Sequence, residues 1–159
     1  MSHLIIRRVP AQATHALRHT VLRPHQPIAM MDFAGDHDPA TAHFAAIDPA
    51  TEQARGIASI YLAPPPDHFH DASPLLASGP RWQLRGMATE PSIRGSGWGR
   101  RLLLACLSHA ATQGGTVMWC NARIEALPFY ERLDFRVFGE EYTPPGLGPH
   151  HFMWRPLRG

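Results

Sequence analysis

The sequence predicts an α/β fold in which helices flank a mixed sheet, within one domain spanning residues 1–159. Three observations carry this. A chain of 159 residues can bury a core and matches the size of a single domain. Apolar residues make up 44% and charged residues 18%, the ordinary balance of a globular chain. Runs with strand and helix periodicity then follow one another as β-α-loop-β-β-β-α-β-α-β-β, with no internal repeat or linker.

Each element has a local reason. "LIIRRV" (4–9) reads as the first strand. Residues 13–22, "ATHALRHTVL", have helical spacing, with Ala16, Leu17 and Val21 on one side. The stretch 23–40 is loop-like. "HFAAID" (43–48) and "ARGIASIYLA" (54–63) read as strands joined by a "DPATEQ" turn. Pro64, Pro65, Pro66, Pro74 and Pro80 make 64–80 a surface loop and the best candidate for mobility. "RWQLRGMAT" (81–89) is a strand, and Gly86 within it suggests a bulge or a close backbone approach.

A helix over 98–113 puts Leu102, Leu103, Cys106, Leu107 and Ala110 on one face, and Gly114-Gly115 stops it. "TVMWCNA" (116–122) is nearly all apolar, as in a strand covered on both faces. A shorter helix follows over 125–133, and Pro128 fits it only in the first turn. Residues 135–142 and 150–156 close the chain as two strands.

Composition excludes several function classes. The net charge is +2, too weak to argue for nucleic acid or a membrane surface, and no helix face is basic. All the basic residues are arginine, so only their placement is informative. Cys106 and Cys120 lie in apolar runs and form no CxxC, which favours buried free thiols and a reducing, cytoplasmic setting. "MSHLIIRRVP" is too short an apolar run for a signal peptide. The pairs His68/His70 and His150/His151 have no third ligand at a recognisable spacing, so no metal is expected.

The stretch "RGSGWGRRLLLACL" (94–107) is the chemical signal. From Pro91 to Ile124 there is no acidic residue, while Arg94, Arg100, Arg101 and Arg123 fall in that span. Helix starts usually carry acids or capping side chains, because their first N–H groups lack partners. Glycines here free the backbone amides to face a ligand. An outside anion, most simply a phosphate, resolves the pattern; the bland alternative is a glycine turn with solvated arginines. A P-loop would need a lysine, and the dinucleotide fingerprint would need glycine where Arg100 stands.

"RGSGWG" (94–99) resembles the Q/R-x-x-G-x-G/A signature of the GNAT superfamily of acyl-CoA-dependent N-acetyltransferases, with Arg94, Gly97 and Gly99 at its fixed positions. "WCNARIEALPFYERLDF" (119–135) is similar to that superfamily's following strand and helix. Asp134 stands where glycine is usual, and Asp tolerates a left-handed backbone better than most residues.

The resemblance implies a mostly antiparallel sheet of six to seven strands, with a strand pair, 81–89 and 116–122, splayed to admit acetyl-CoA. It implies that the amides of Gly95, Ser96, Gly97, Trp98, Gly99 and Arg100 hold the coenzyme A pyrophosphate, with Arg94 also in the cofactor-binding set. Met87, Ala88 and Thr89 would pair through their backbone with the pantetheine arm, and an N–H near Met87 or Ala88 would polarise the thioester carbonyl. Asn121 would bind pantetheine or else cap a helix, and Phe129 joins the cofactor-binding set.

Tyr130 is the expected general acid for the departing thiolate, since a neutral phenol can supply that proton. By spacing alone it is a core aromatic beside Phe129. No carboxylate or histidine lies on 81–89, so the base is sought among Glu90, Glu125, His43 and His150, with a water chain as alternative. His150 leads. Arg85 would favour an acceptor with a carboxylate if it faces the site; otherwise it is a solvated residue or a cross-strand partner.

The leading expectation is therefore acetyl transfer from acetyl-CoA to a primary amine, on a small molecule or a peptide N-terminus. The rival is a non-catalytic acyl-CoA-binding sensor on the same fold. No nucleic acid or membrane partner is expected, and a homodimer is compatible with the resemblance.

Overall fold

A computed structural model describes residues 3–157. Its strands are β1 (Ile5–Val9), β2 (Ala42–Asp48), β3 (Gln53–Leu62), β4 (Arg81–Thr89), β5 (Val117–Arg123), β6 (Arg136–Tyr142) and β7 (His150–Pro156). Its helices are α1 (His15–Leu17), α2 (Trp98–Thr112) and α3 (Leu127–Glu131). The strands form one 7-stranded sheet in the order β1-β2-β3-β4-β5-β7-β6. β4 and β5 pair in parallel, from Arg81↔Val117 to Gln83↔Trp119. The pairs β1–β2, β2–β3, β5–β7 and β6–β7 are antiparallel. The mixed, mostly antiparallel α/β class read from the sequence is the class found. Among the described residues no helix is long and apolar enough to cross a membrane.

By its contacts the chain forms two compact units: the residues up to Tyr61 with Leu84–His109, and Leu62–Gln83 with the residues from Ala110 on. In the first, Leu17, Ala45, Ile47, Ile57 and Ala88 form a buried cluster, with Val9, Val21, Leu22 and Ala54 packed on it. The helical run expected over 13–22 is present but irregular. It passes from a 3-10 turn (Ala11–Thr14) through α1 to a π-turn (Arg18–Leu22). Ala16, expected on the core side, is exposed. Thr14 and Arg18, both 0% exposed, take buried positions instead. A 3-10 turn advances faster per residue than an α-helix and a π-turn slower, so a buried stripe cannot follow α-helical spacing here.

α2 behaves as its spacing predicts. Leu102, Leu103, Cys106, Leu107 and Ala110 are all buried. Gly114, at φ +79°, ends it.

In the second unit Leu76, Val117, Trp119, Phe152 and Trp154 form the buried cluster, with Ala63, Phe69, Ala72 and Phe138 against it. β5 is buried from Val117 to Cys120, as an unbroken apolar run requires. The proline-rich loop carries two short 3-10 turns, Asp67–Ala72 and Pro74–Leu76. It is anchored by buried Leu76 and by Phe69, whose ring stacks 3.9 Å from that of Phe152. The helix expected over 125–133 is a 3-10 turn (Ile124–Ala126) followed by α3, with Pro128 in its first turn. Asp134 takes φ +69°, the left-handed turn that the sequence required of it.

Candidate active site

In the first unit, β4 leads into the glycine turn and the start of α2. Arg94 folds back on the strand end: its Nε and Nη2 donate to the Thr89 carbonyl at 3.1 and 2.9 Å. The arginine of "RGSGWG" therefore fixes the turn to β4 instead of reaching outward. Gly95 and Gly97 sit at φ +81° and +87°, and a Cβ at either would meet nothing within 4 Å. Glycine is needed there for its backbone conformation, and the space beside the turn is open. The first turn of α2 holds no acidic residue, and its leading N–H groups have no intrahelical acceptor. Ser96, Arg100 and Arg101 are exposed. Trp98 is buried, with the Arg101 guanidinium 4.5 Å from its ring centre. This is a partly positive, acid-free concentration of amides suited to an anion.

In the second unit, Asn121 is exposed on β5, and its Oδ1 accepts from the Tyr142 hydroxyl. That bond fixes the amide and leaves its Nδ2 donors for another group. Burial, and then the nearby Cys120, push the Tyr142 phenol up to about 12, so it stays a donor at neutral pH. Sheet register sets Tyr142 opposite His150, with ring centres 6.1 Å apart. His150 is buried, and its Nδ1 donates to the Gly148 carbonyl at 2.9 Å. In a neutral imidazole that bond leaves Nε2 as the lone-pair nitrogen. Tyr130 is buried on α3, held edge-on by Phe129 (5.1 Å) and Phe135 (5.5 Å). The core-aromatic reading and the acid reading of Tyr130 thus share one geometry.

Two base candidates are committed elsewhere. The Glu90 carboxylate accepts from Arg55 Nε and from the Ser92 hydroxyl. His43 is buried; its Nε2 donates to the Asp36 carbonyl (3.0 Å), so its Nδ1 accepts from Ser59 Oγ (2.7 Å). Burial pushes the His43 imidazole below its usual value despite that carbonyl. Glu125 is exposed in the turn before α3.

One feature of the first unit escaped the sequence reading. Arg18 is fully buried and paired with the fully buried Asp36 through contacts of 2.6 and 3.0 Å. Arg18 also donates to the Met31 carbonyl, Ser59 Oγ and the Tyr61 hydroxyl. Asp36 accepts further from Tyr61 (2.5 Å) and the Phe33 amide (2.8 Å). Burial alone would raise the Asp36 carboxyl, but the bonds from Arg18, Tyr61 and Phe33, with the Arg18 charge, bring it down to about 2. The only sequence signal was Gly86. It sits at φ +64°, and a Cβ there would come 3.3 Å from Arg18 Nε and 3.7 Å from the Phe33 ring. The expected close approach is thus by this network. Asp36 also belongs to the His15–Asp32–Asp36 trio whose ligand atoms lie within 4.8 Å of one another, but both its oxygens are already engaged.

Against known proteins, residues 11–135 match the family model described as the Acetyltransferase (GNAT) family. The chain belongs to the GNAT acetyltransferase family. YitI of Bacillus subtilis (strain 168), an uncharacterised N-acetyltransferase, is 30% identical over 155 residues, covering 98% of this chain and 97% of that one. Solved structures show the same fold. An aminoglycoside 6'-N-acetyltransferase complexed with coenzyme A superposes with a TM-score of 0.73 at 15% identity, covering 98% of each chain. A GCN5-related N-acetyltransferase from Kribbella flavida gives 0.67 at 21% identity, over 97% of this chain and 98% of that one. As a GNAT member the protein is an acyl-CoA-dependent N-acetyltransferase, and acetyl-CoA is its acyl donor.

Proposed function

We propose that the protein transfers acetyl from acetyl-CoA to a primary amine by direct attack, with the whole of residues 1–159 acting as one catalytic domain. The glycine turn carries this reading: two left-handed glycines open to solvent, directly after a strand end held by Arg94. A diphosphate fits that turn in charge and in room. The amides of Gly95 to Arg100 bind the pyrophosphate, and the backbone of Met87–Thr89 pairs with the pantetheine arm. Asn121, with Phe129, borders that arm, its free Nδ2 donating to an amide carbonyl.

In the reaction, the amine lone pair attacks the thioester carbon while an N–H at Met87 or Ala88 stabilises the developing oxyanion. The C–S bond then breaks, and the Tyr130 hydroxyl gives its proton to the leaving thiolate. The proton lost by the nitrogen goes to Nε2 of His150. The products are an acetamide and coenzyme A thiol. Cys106 and Cys120, buried and free, support a reducing cytoplasm as the setting.

The test is release of free thiol from acetyl-CoA against a broad amine panel, for wild type and Tyr130→Phe together. Turnover that falls at least ~100-fold in the variant, with coenzyme A affinity unchanged, supports the reading. Turnover indifferent to the substitution removes Tyr130 from the acid role. Tight binding with no turnover on any amine supports an acyl-CoA sensor instead.

A further inference from the structure

We infer that the acceptor is an amino acid, a small molecule carrying a carboxylate beside its amine, and that Arg85 binds that carboxylate; this rests on the transferase reading above. Arg85 lies on β4 within the first unit, two residues before Met87. It is half-buried. Its guanidinium lies 4.9 Å from the Phe33 ring centre and 5.4 Å from that of Tyr61. Among the described residues no carboxylate pairs with it.

The contrast with Arg18 defines the site. Arg18 lies 4.0 Å from the centre of the same Phe33 ring. Its charge is answered by Asp36, whose two oxygens are filled by Arg18, Tyr61 and the Phe33 amide. The guanidinium of Arg23 also lies over Phe33, at 4.8 Å. Of the guanidiniums over this ring, Arg18 is the one that the buried Asp36 neutralises. Of the other acids on this loop, Asp32 is engaged by His37 at 2.8 Å, and the exposed Asp38 forms no ion pair with Arg85. The fork of Arg85 is thus left for a carboxylate from outside the described residues.

The ring contacts also orient the cation. A guanidinium held over aromatic faces by cation–π attraction leaves its N–H groups free, and their fork matches the two oxygens of a carboxylate. Because Phe33 and Tyr61 hold the side chain beforehand, less freedom is lost on binding. Tyr61 is itself fixed by its bond to Asp36. The buried network of Arg18, Asp36 and Tyr61 is therefore the support, and Arg85 is the contact. Position adds a limit on size. Two residues of strand advance at most about 7 Å, and the left-handed Gly86 between them shortens this, so a carboxylate on Arg85 and an amine attacking beside Met87 fit one small molecule. The Arg85 charge itself disfavours polyamines and aminoglycosides as acceptors.

The test compares the standard amino acids with their carboxamides as acceptors, at saturating acetyl-CoA, by thiol release. Wild type, Arg85→Gln and Arg85→Lys are run side by side, each also titrated with coenzyme A by calorimetry. At least one amino acid should exceed its carboxamide in kcat/KM by ~30-fold or more. Arg85→Gln should remove that preference by raising the acceptor KM ~10- to 100-fold, with Arg85→Lys intermediate because it keeps charge but loses the fork. Carboxamides or polyamines used as well as amino acids would overturn the inference, as would a preference unchanged in Arg85→Gln. Coenzyme A binding with no amino acid turned over overturns it too, leaving the donor site standing. Failure to bind coenzyme A at all would sink the transferase reading itself, and this inference with it.

Discussion

Asp36→Asn should cost the fold about 3–5 kcal/mol, because it strands a buried cation without altering side-chain shape. Both Arg18 and Asp36 are 0% exposed at the side chain, so water cannot take over the lost charge. Asparagine must also turn an NH2 toward existing donors. Placed at Oδ2 it faces Arg18 Nη1 and the Phe33 amide; placed at Oδ1 it faces Arg18 Nη2 and the Tyr61 hydroxyl. The second choice is milder, since a hydroxyl can reverse and accept, yet one donor–donor contact with Arg18 remains. Urea unfolding is the assay. With a slope near 2 kcal/mol/M, the midpoint should fall by about 2 M.

The exposed Arg7–Glu52 pair is the control, and Glu52→Gln should barely move the midpoint. The acid limb gives a second reading. A carboxyl held at about 2 against an ordinary 3.8 contributes about 2 kcal/mol. Its folded value is depressed, so that stability is present above about pH 4 and is lost as pH falls toward 2. Asp36→Asn should erase that limb. A midpoint that moves no more than in Glu52→Gln, or an acid limb that persists, would refute the buried-pair reasoning.

Three further outcomes follow from named geometry. Gly97→Ala places a Cβ in open space but at φ +87°; it should cost about 1–2 kcal/mol of backbone energy and weaken coenzyme A binding about tenfold by calorimetry. Gly115→Ala has ordinary backbone angles but sets a Cβ 2.8 Å from the Ala110 carbonyl, Leu157 Cδ1 and Trp82 Cδ1, so it should destabilise by about 1–3 kcal/mol, read as a lower melting temperature. Cys106 and Cys120 are buried, and burial pushes both thiols up; neither should react with a disulfide reagent at pH 8 until denaturant is added.

Most of the fold was legible because most of it is written locally. The apolar run Val117–Cys120 and Leu102, Leu103 and Leu107 of α2 report their own burial through spacing. Glycines 95 and 97 permit left-handed backbone by residue type, and Asp134 tolerates it where the resemblance puts a glycine. The first helix was not legible in the same way. Arg18 takes a core position that periodicity assigns to an apolar side chain, and the irregular winding moves Ala16 outward. What permits this is Asp36, 18 residues further on in a loop without periodicity. Nor did the sequence link Tyr142 to Asn121, 21 residues apart and brought together by sheet pairing. Polar contacts between distant residues leave no local trace.

That division bears on specificity. A glycine turn for a common donor can be spelled out in six consecutive residues, because amides and backbone angles suffice. Recognition of one acceptor needs side chains from separate elements, and the site proposed above draws on Phe33 from a loop, Tyr61 from β3 and Arg85 from β4. Taken alone, Arg85 is as readily a solvated strand residue as a ligand for an anion. Phe33 separates these meanings. Arg18 and Arg85 approach the same ring, but among the described residues a carboxylate pairs with Arg18 and none with Arg85. An isolated buried pair such as Arg18–Asp36 adds little net stability relative to apolar replacement. It does, however, hold Tyr61 and Phe33 in place around the arginine that lacks a carboxylate, which is a reason for the chain to carry that pair where it does.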